Sequence, residues 1–214
     1  MISDKSKALL EQMRIDADEY FESLYKRFND DYRVFADVLD SFNCNTKTQP
    51  EFAFRDFWQQ KYASYPIESE LCNWAFELFN NLKRFYSGGV FELFKTKQVE
   101  WGAPPIRIKR EDVPTNSDIE QLEDEVTIYR GLSPDEFESK NFAQSWTIDY
   151  ETARRFAHEI YKDKIQGIVV KAIVPRNKVI YFDASDNEQE VIIEYGSVKI
   201  AEIFAPTKAI KPVS

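Results

Sequence analysis

Gly167-Ile168-Val169-Val170-Lys171-Ala172-Ile173-Val174-Pro175 decides how the second half of this chain is read. Lys171 alone interrupts an apolar, β-branched run, and Pro175 cannot donate to a further ladder bond. Such a run predicts a central strand. Upstream, Val126-Thr127-Ile128-Tyr129 predicts a strand ended by Arg130-Gly131, and Ala143 to Thr147 a second, shorter one. Between these and the central run, Asp149 is placed to cap a helix with Ala153, Phe156, Ala157 and Ile160 on one face. Downstream, Val179-Ile180-Tyr181-Phe182, Val191-Ile192-Ile193 and Val198 to Phe204 add further strands. Short strands around one embedded helix predict an α+β domain.

The first half has a different period. Ser3 is placed to cap a helix carrying Leu9, Leu10, Met13, Ala17, Tyr20, Phe21, Leu24 and Phe28 on one stripe. Val34, Phe35, Val38, Leu39 and Phe42 repeat the pattern, and Asn43 to Pro50 is a polar break. Phe54, Phe57, Trp58 and Tyr62 mark a third helix. Pro66 suits the first turn of a fourth, with Leu71, Trp74, Ala75, Leu78, Leu82 and Phe85 on one side and Ser87-Gly88-Gly89 as its stop. A packed bundle is the simplest reading of these aromatic faces. Ile106-Arg107-Ile108-Lys109-Arg110 alternates apolar and basic residues and reads as a short strand or edge segment. A domain boundary falls around residues 111–124, giving a helical region over 1–115 and a second domain over 116–214.

Composition bounds the function. The chain has 214 residues, 15 % of them aromatic, which is ample for a packed core. Its net charge of −9 disfavours non-specific nucleic-acid binding. Cys44 and Cys72 lack metal-type spacing and read as reduced structural thiols. His158, the single histidine, completes neither a zinc site nor a Ser/His/Asp triad. No apolar leader follows Met1, and no stretch approaches a membrane span, so a cytoplasmic protein without membrane attachment is expected.

Three clusters carry chemistry. Tyr129-Arg130-Gly131 puts a guanidinium, able to bind a phosphate, beside a glycine that admits close approach to the backbone. Gln144-Ser145-Trp146-Thr147 offers hydroxyls and a ring that stacks or fills core. Asp186-Asn187-Glu188-Gln189-Glu190 leads into Val191-Ile192-Ile193. On extended backbone Glu188 and Glu190 project to one face, as a paired-carboxylate site or as a solvated rim. Each cluster alone is ordinary surface or core.

In this order the three resemble the arginine–serine–glutamate class of mono-ADP-ribosyltransferases, which includes cholera-toxin-like and C2/C3-like enzymes. The Ser-Trp-Thr element before a helix ending in Phe156-Ala157 is similar to bacterial and phage members. The resemblance covers roughly residues 120–205. It implies a mixed, β-sandwich-like ADP-ribosyltransferase core behind the helical N-terminal part. It implies NAD⁺ as a substrate and no metal; no Gly-x-Gly-x-x-Gly follows a strand, so a Rossmann reading fails. By resemblance Arg130 holds an NAD⁺ phosphate, Gly131 presents backbone to the nicotinamide amide, and Ser145 orients Glu190. Glu190 accepts from the 2′-hydroxyl of the nicotinamide ribose, and Glu188 serves the acceptor. Trp146, Thr147 and Phe156 complete the NAD⁺ pocket. Many members have Ser-Thr-Ser where this chain has Ser145-Trp146-Thr147.

The activity so implied is ADP-ribose transfer to an acceptor, protein arginine first, with release of nicotinamide. Transfer to RNA or DNA, NAD⁺ hydrolysis with water as acceptor, and a non-catalytic NAD-binding or interaction module are the competing readings. A toxin, effector or phage-conflict enzyme fits the resemblance, acting in its own cytoplasm or delivered to a host by a non-Sec route. The helical part then buttresses the sheet, selects the target, or binds an antitoxin or other protein.

Overall fold

The computed structural model describes residues 2–42, 49–160 and 167–204. The chain divides into two compact units, Met1–Ile108 and Lys109–Ser214. The described secondary structure is α+β, with helices in the first unit and one antiparallel sheet in the second. No helix among the described residues is long and apolar enough to cross a membrane.

The first unit is built from α1 (Asp4–Gln12), α2 (Ala17–Phe28), α3 (Arg33–Ser41), α4 (Pro50–Lys61) and α5 (Glu70–Phe94). Ser3 caps α1 through the Ser6 amide, as expected. The single stripe from Leu9 to Phe28 is nevertheless two helices. Arg14 turns left-handed at φ 63°, and the Asp16 side chain accepts from the Glu19 amide to start α2. Pro66 lies before the fourth helix, whose cap is Ser69, accepting from the Cys72 amide. Gly89, at φ 72° and ψ −162°, kinks α5 instead of ending it. Ile106 and Ile108 are buried and Arg107 exposed, so the alternation is real, but none of the described strands includes this segment. Tyr20, Leu24, Phe35, Leu39, Trp58, Leu78 and Trp101 form the core. Cys72 is buried, and burial pushes its thiol up to about 11. Cys44 lies outside the described residues.

In the second unit, six described strands form one sheet: β1 (Glu125–Leu132), β2 (Ser145–Thr147), β3 (Ile168–Pro175), β4 (Val179–Phe182), β5 (Glu190–Ile193) and β6 (Glu202–Ile203). Their order is β4-β5-β2-β1-β3-β6, and every ladder is antiparallel. The expected mixed, sandwich-like arrangement is therefore corrected. β5 continues the sheet by pairing with β2, Thr147 opposite Glu190. One face carries Val126, Ile128, Trp146, Val170, Val174, Val191 and Ile193 in a common core. β1 runs through Arg130-Gly131, which pair with Val170 and Val169, so those residues lie within the strand and do not end it. Of the expected last strand, Glu202 and Ile203 pair with β3 and the Phe204 amide donates to the Val169 carbonyl at 2.9 Å, while Ile200 is exposed.

The other face receives α7 (Tyr150–Arg155), capped by Asp149 and followed by a wider, π-helical turn over Phe156–Ile160. Two glycines let this helix sit down on the sheet. A Cβ at Gly131 would overlap the Ala153 carbonyl and the Ala157 backbone, and one at Gly167 would overlap the Ala157 carbonyl. The opposing atoms are backbone, so no side-chain rotation relieves the clash. We expect Gly131→Ala and Gly167→Ala each to destabilise the chain by about 1–3 kcal/mol, the usual cost of overpacking. Urea-unfolding midpoints check this; wild-type midpoints in both variants would contradict the close helix–sheet contact.

Candidate active site

β1 and β2 share a single ladder pair, Tyr129 opposite Thr147. Ser145 and Trp146 pair with Ile192 and Val191 on the far side, but have no ladder partner on β1 among the described residues. The strands thus diverge next to a bridge, and a cleft opens there. It encloses about 100 Å³ and is lined by Tyr129, Arg130, Gly131, Ser145, Trp146, Thr147, Thr152, Ala153, Phe156, Glu188 and Glu190. All eight residues singled out from the sequence lie on this one cleft.

Arg130 occupies the mouth of the divergence. Its Nη1 donates to the Ser145 carbonyl at 2.6 Å, a bond that stands in for the missing ladder contact. Its Nε donates to Glu136 Oε1 at 2.9 Å and its Nη2 to Oε2 at 3.4 Å. Three of the five guanidinium donors are thereby committed to the protein. Both side chains of the pair are only about one-fifth exposed, 21 % and 20 %. Glu136 sits on α6 (Pro134–Ser139), capped by Ser133, and its Oε1 also accepts from the Ala143 amide at 3.2 Å. The sequence reading missed both α6 and Glu136.

Ser145 and Glu190 are diagonal neighbours on β2 and β5, on the face away from the core. The Ser145 hydroxyl donates to Glu190 Oε1. Glu190 is half-buried and Glu188 exposed. The two carboxylates share the cleft for a reason other than strand alternation. Gln189 between them is left-handed, at φ 47°, so Glu188 belongs to the turn and Glu190 begins the strand. Asp186 builds that turn: its carboxylate accepts from the amides of Glu188 at 3.3 Å and Glu190 at 3.4 Å.

Thr147 ties the turn down. Its hydroxyl donates to the Glu188 carbonyl at 2.7 Å and accepts from the Asp149 amide at 2.9 Å. Asp149 in turn caps α7, and hydrogen bonds from Thr152 first, then its neighbours, hold the Asp149 carboxyl below the usual carboxylate range. Of the two readings of Trp146, the core one holds: its ring is buried, edge-on to Phe142, and its Nε1 donates to the Ala143 carbonyl, while part of the residue borders the cleft. Gly131 lines the cleft, and the side on which a Cβ would project is filled by the backbone of Ala153 and Ala157. Phe156 is half-buried on the cleft wall, and His158 is exposed. Thr152 lines the cleft without having been singled out, and Tyr129, named in the first motif, lines it as well.

The turn end of the cleft is acidic. Burial first, and then the carboxylates of Asp183, Glu190, Asp186 and Asp118, push the Tyr181 phenol above its ordinary value. Among the described residues no group of three or more His, Cys, Asp or Glu side chains is placed to hold a metal. The arrangement is a fixed carboxylate beside an exposed one, at a cleft floored by backbone and walled by aromatic and small residues. No protein-family model, curated protein or solved structure matches this chain.

The Thr147 hydroxyl is the joint between the β2–α7 corner and the turn. Thr147→Val should cost about 0.5–1.5 kcal/mol, because the half-buried Asp149 amide loses its acceptor. It should also accelerate hydrogen exchange at that amide, followed by NMR. Unchanged exchange would contradict the joint.

Proposed function

We propose that this chain is a mono-ADP-ribosyltransferase, which cleaves NAD⁺ at the nicotinamide–ribose bond and passes ADP-ribose to a protein arginine. The observation that carries this reading is the Ser145–Glu190 hydrogen bond, set within one cleft beside Arg130 and Glu188. Departure of nicotinamide builds positive charge on the ribose, as in glycoside cleavage. A carboxylate that is already oriented stabilises this developing charge more than the ground state, and no reorganisation is needed at the moment of reaction. Glu190, held by the Ser145 hydroxyl, takes that role and accepts from the ribose 2′-hydroxyl.

Glu188 faces solvent at the same cleft and takes the acceptor. Its surroundings favour a cation. Asp183 and Asp186 stand on the same turn, and their charge is felt as far as Tyr181. A guanidinium is drawn to such a place and pairs with a carboxylate through two parallel bonds. A nucleic-acid acceptor brings phosphates toward these carboxylates and is opposed by the same field. Glu188 then accepts the proton that the guanidinium nitrogen loses as it attacks the ribose carbon.

Glu190→Gln should abolish both ADP-ribose transfer and NAD⁺ hydrolysis with the circular dichroism spectrum unchanged. An active, folded Glu190→Gln chain would remove the basis of the assignment. Glu188→Gln should lose transfer to an arginine acceptor far more than hydrolysis, compared by nicotinamide release with and without acceptor. Equal loss of both would instead place Glu188 on NAD⁺.

A further inference from the structure

Arg130 is the cation that a phosphate-binding role requires, yet its charge is already answered. Glu136 meets it along the Nε/Nη2 edge, at 2.9 and 3.4 Å, with both side chains about one-fifth exposed. The pair is close to neutral, and three of the five guanidinium donors are committed to the protein. A neutral pair is a weak anion anchor, and giving up Glu136 for a phosphate would leave that carboxylate half-buried and unpaired. What the pair does hold is backbone. Arg130 Nη1 fixes the Ser145 carbonyl at 2.6 Å, and Glu136 Oε1 fixes the Ala143 amide at 3.2 Å. These contacts grip β2 and the segment leading into it where β1 supplies no ladder partner. The Ser145 side chain leaves the same residue toward Glu190.

Resting on the proposed transferase reading, we infer that Glu136 is a positioning residue. Through Arg130 it sets the Ser145 backbone, and through the Ser145 hydroxyl the Glu190 carboxylate, so that Arg130 serves this relay and is not the phosphate anchor of NAD⁺. The relay crosses four elements: α6 carries Glu136, β1 Arg130, β2 Ser145 and β5 Glu190. A displacement of about 1 Å in a reacting group costs on the order of 10²-fold in rate. Loss of the Glu136 charge therefore acts on turnover and leaves substrate affinity alone.

Glu136→Gln tests this, because the amide preserves size while removing the charge. Arg176→Gln serves as the stability control; Arg176 bonds Asp124 and the Leu122 carbonyl and does not line the cleft. The readouts are kcat and KM for nicotinamide release from NAD⁺, and a crystal structure of the unliganded Glu136→Gln chain. The expected result is kcat lower by about 10²-fold, an unchanged KM, a displaced Glu190 carboxylate, and wild-type kcat in Arg176→Gln. A changed KM with unchanged kcat, in either direction, would make Arg130 a phosphate anchor and overturn the inference. Unchanged kcat and KM with lowered stability alone would reduce the pair to a structural ion pair and also overturn it. If the wild-type chain releases no nicotinamide, the transferase reading fails by itself. The crystal structure then decides the relay: Glu190 still bonded to Ser145 in Glu136→Gln contradicts it, and a displaced Glu190 supports it.

Discussion

The second unit depends on one ion pair placed where a sheet is almost interrupted. β1 and β2 meet at a single residue pair, and on either side of that bridge the six strands would fall into two groups of three. Arg130 and Glu136 cross the gap with contacts to Ser145 and Ala143. A half-buried pair of this kind gives little net stability, since desolvation offsets much of the attraction. Breaking it by removing one partner costs several kcal/mol. The pair is better understood as a specification of geometry. It holds open a cleft that a regular ladder would close, and it keeps the walls of that cleft in register.

The remaining parts of the site are similarly economical. Ser145 and Glu190 meet because β2 and β5 are antiparallel in a register that makes them diagonal neighbours. A slip of β2 by one residue would turn Ser145 into the core and bring Trp146 out. The apolar set Trp146, Val191 and Ile193 thus selects the register that exposes the chemistry. Glu188 is held differently, by a turn whose hydrogen bonds come from Asp186 and Thr147. One carboxylate is fixed by the sheet, the other by a turn at its edge. In the proposed reaction this difference suits one group that stays still and another that admits an acceptor.

Much of this was legible in the sequence, and the gaps have physical causes. The strands were marked by β-branched runs, and the helix over Tyr150–Arg155 by Asp149, because burial on one face and capping leave local traces. The break between α1 and α2 was masked by an unbroken apolar stripe, although Asp16 and Glu19 carry the spacing of a helix start. The same signal, Ser133-Pro134-Asp135-Glu136, announces α6 and with it the partner of Arg130. Nothing local marks Gln189 as left-handed, since glutamine seldom adopts that conformation; the turn around it imposes it. The gathering of Arg130, Ser145, Glu188 and Glu190 on one cleft followed from the order of three short motifs. The core packing of Trp146 was one of the two readings its motif allowed, whereas the covering of Gly131 by Ala153 was not legible, because it depends on which face of the sheet α7 covers.

The central claim is that this cleft breaks the nicotinamide–ribose bond and hands the sugar to protein. The most direct measurement is incubation of the folded wild-type chain with NAD⁺ labelled in the adenylate half, in a cell lysate. Released nicotinamide is quantified, and the protein and nucleic-acid fractions are analysed separately by mass spectrometry. The account predicts nicotinamide release with ADP-ribose on arginine side chains in the protein fraction. Intact NAD⁺ after incubation, with both fractions unlabelled, would contradict it.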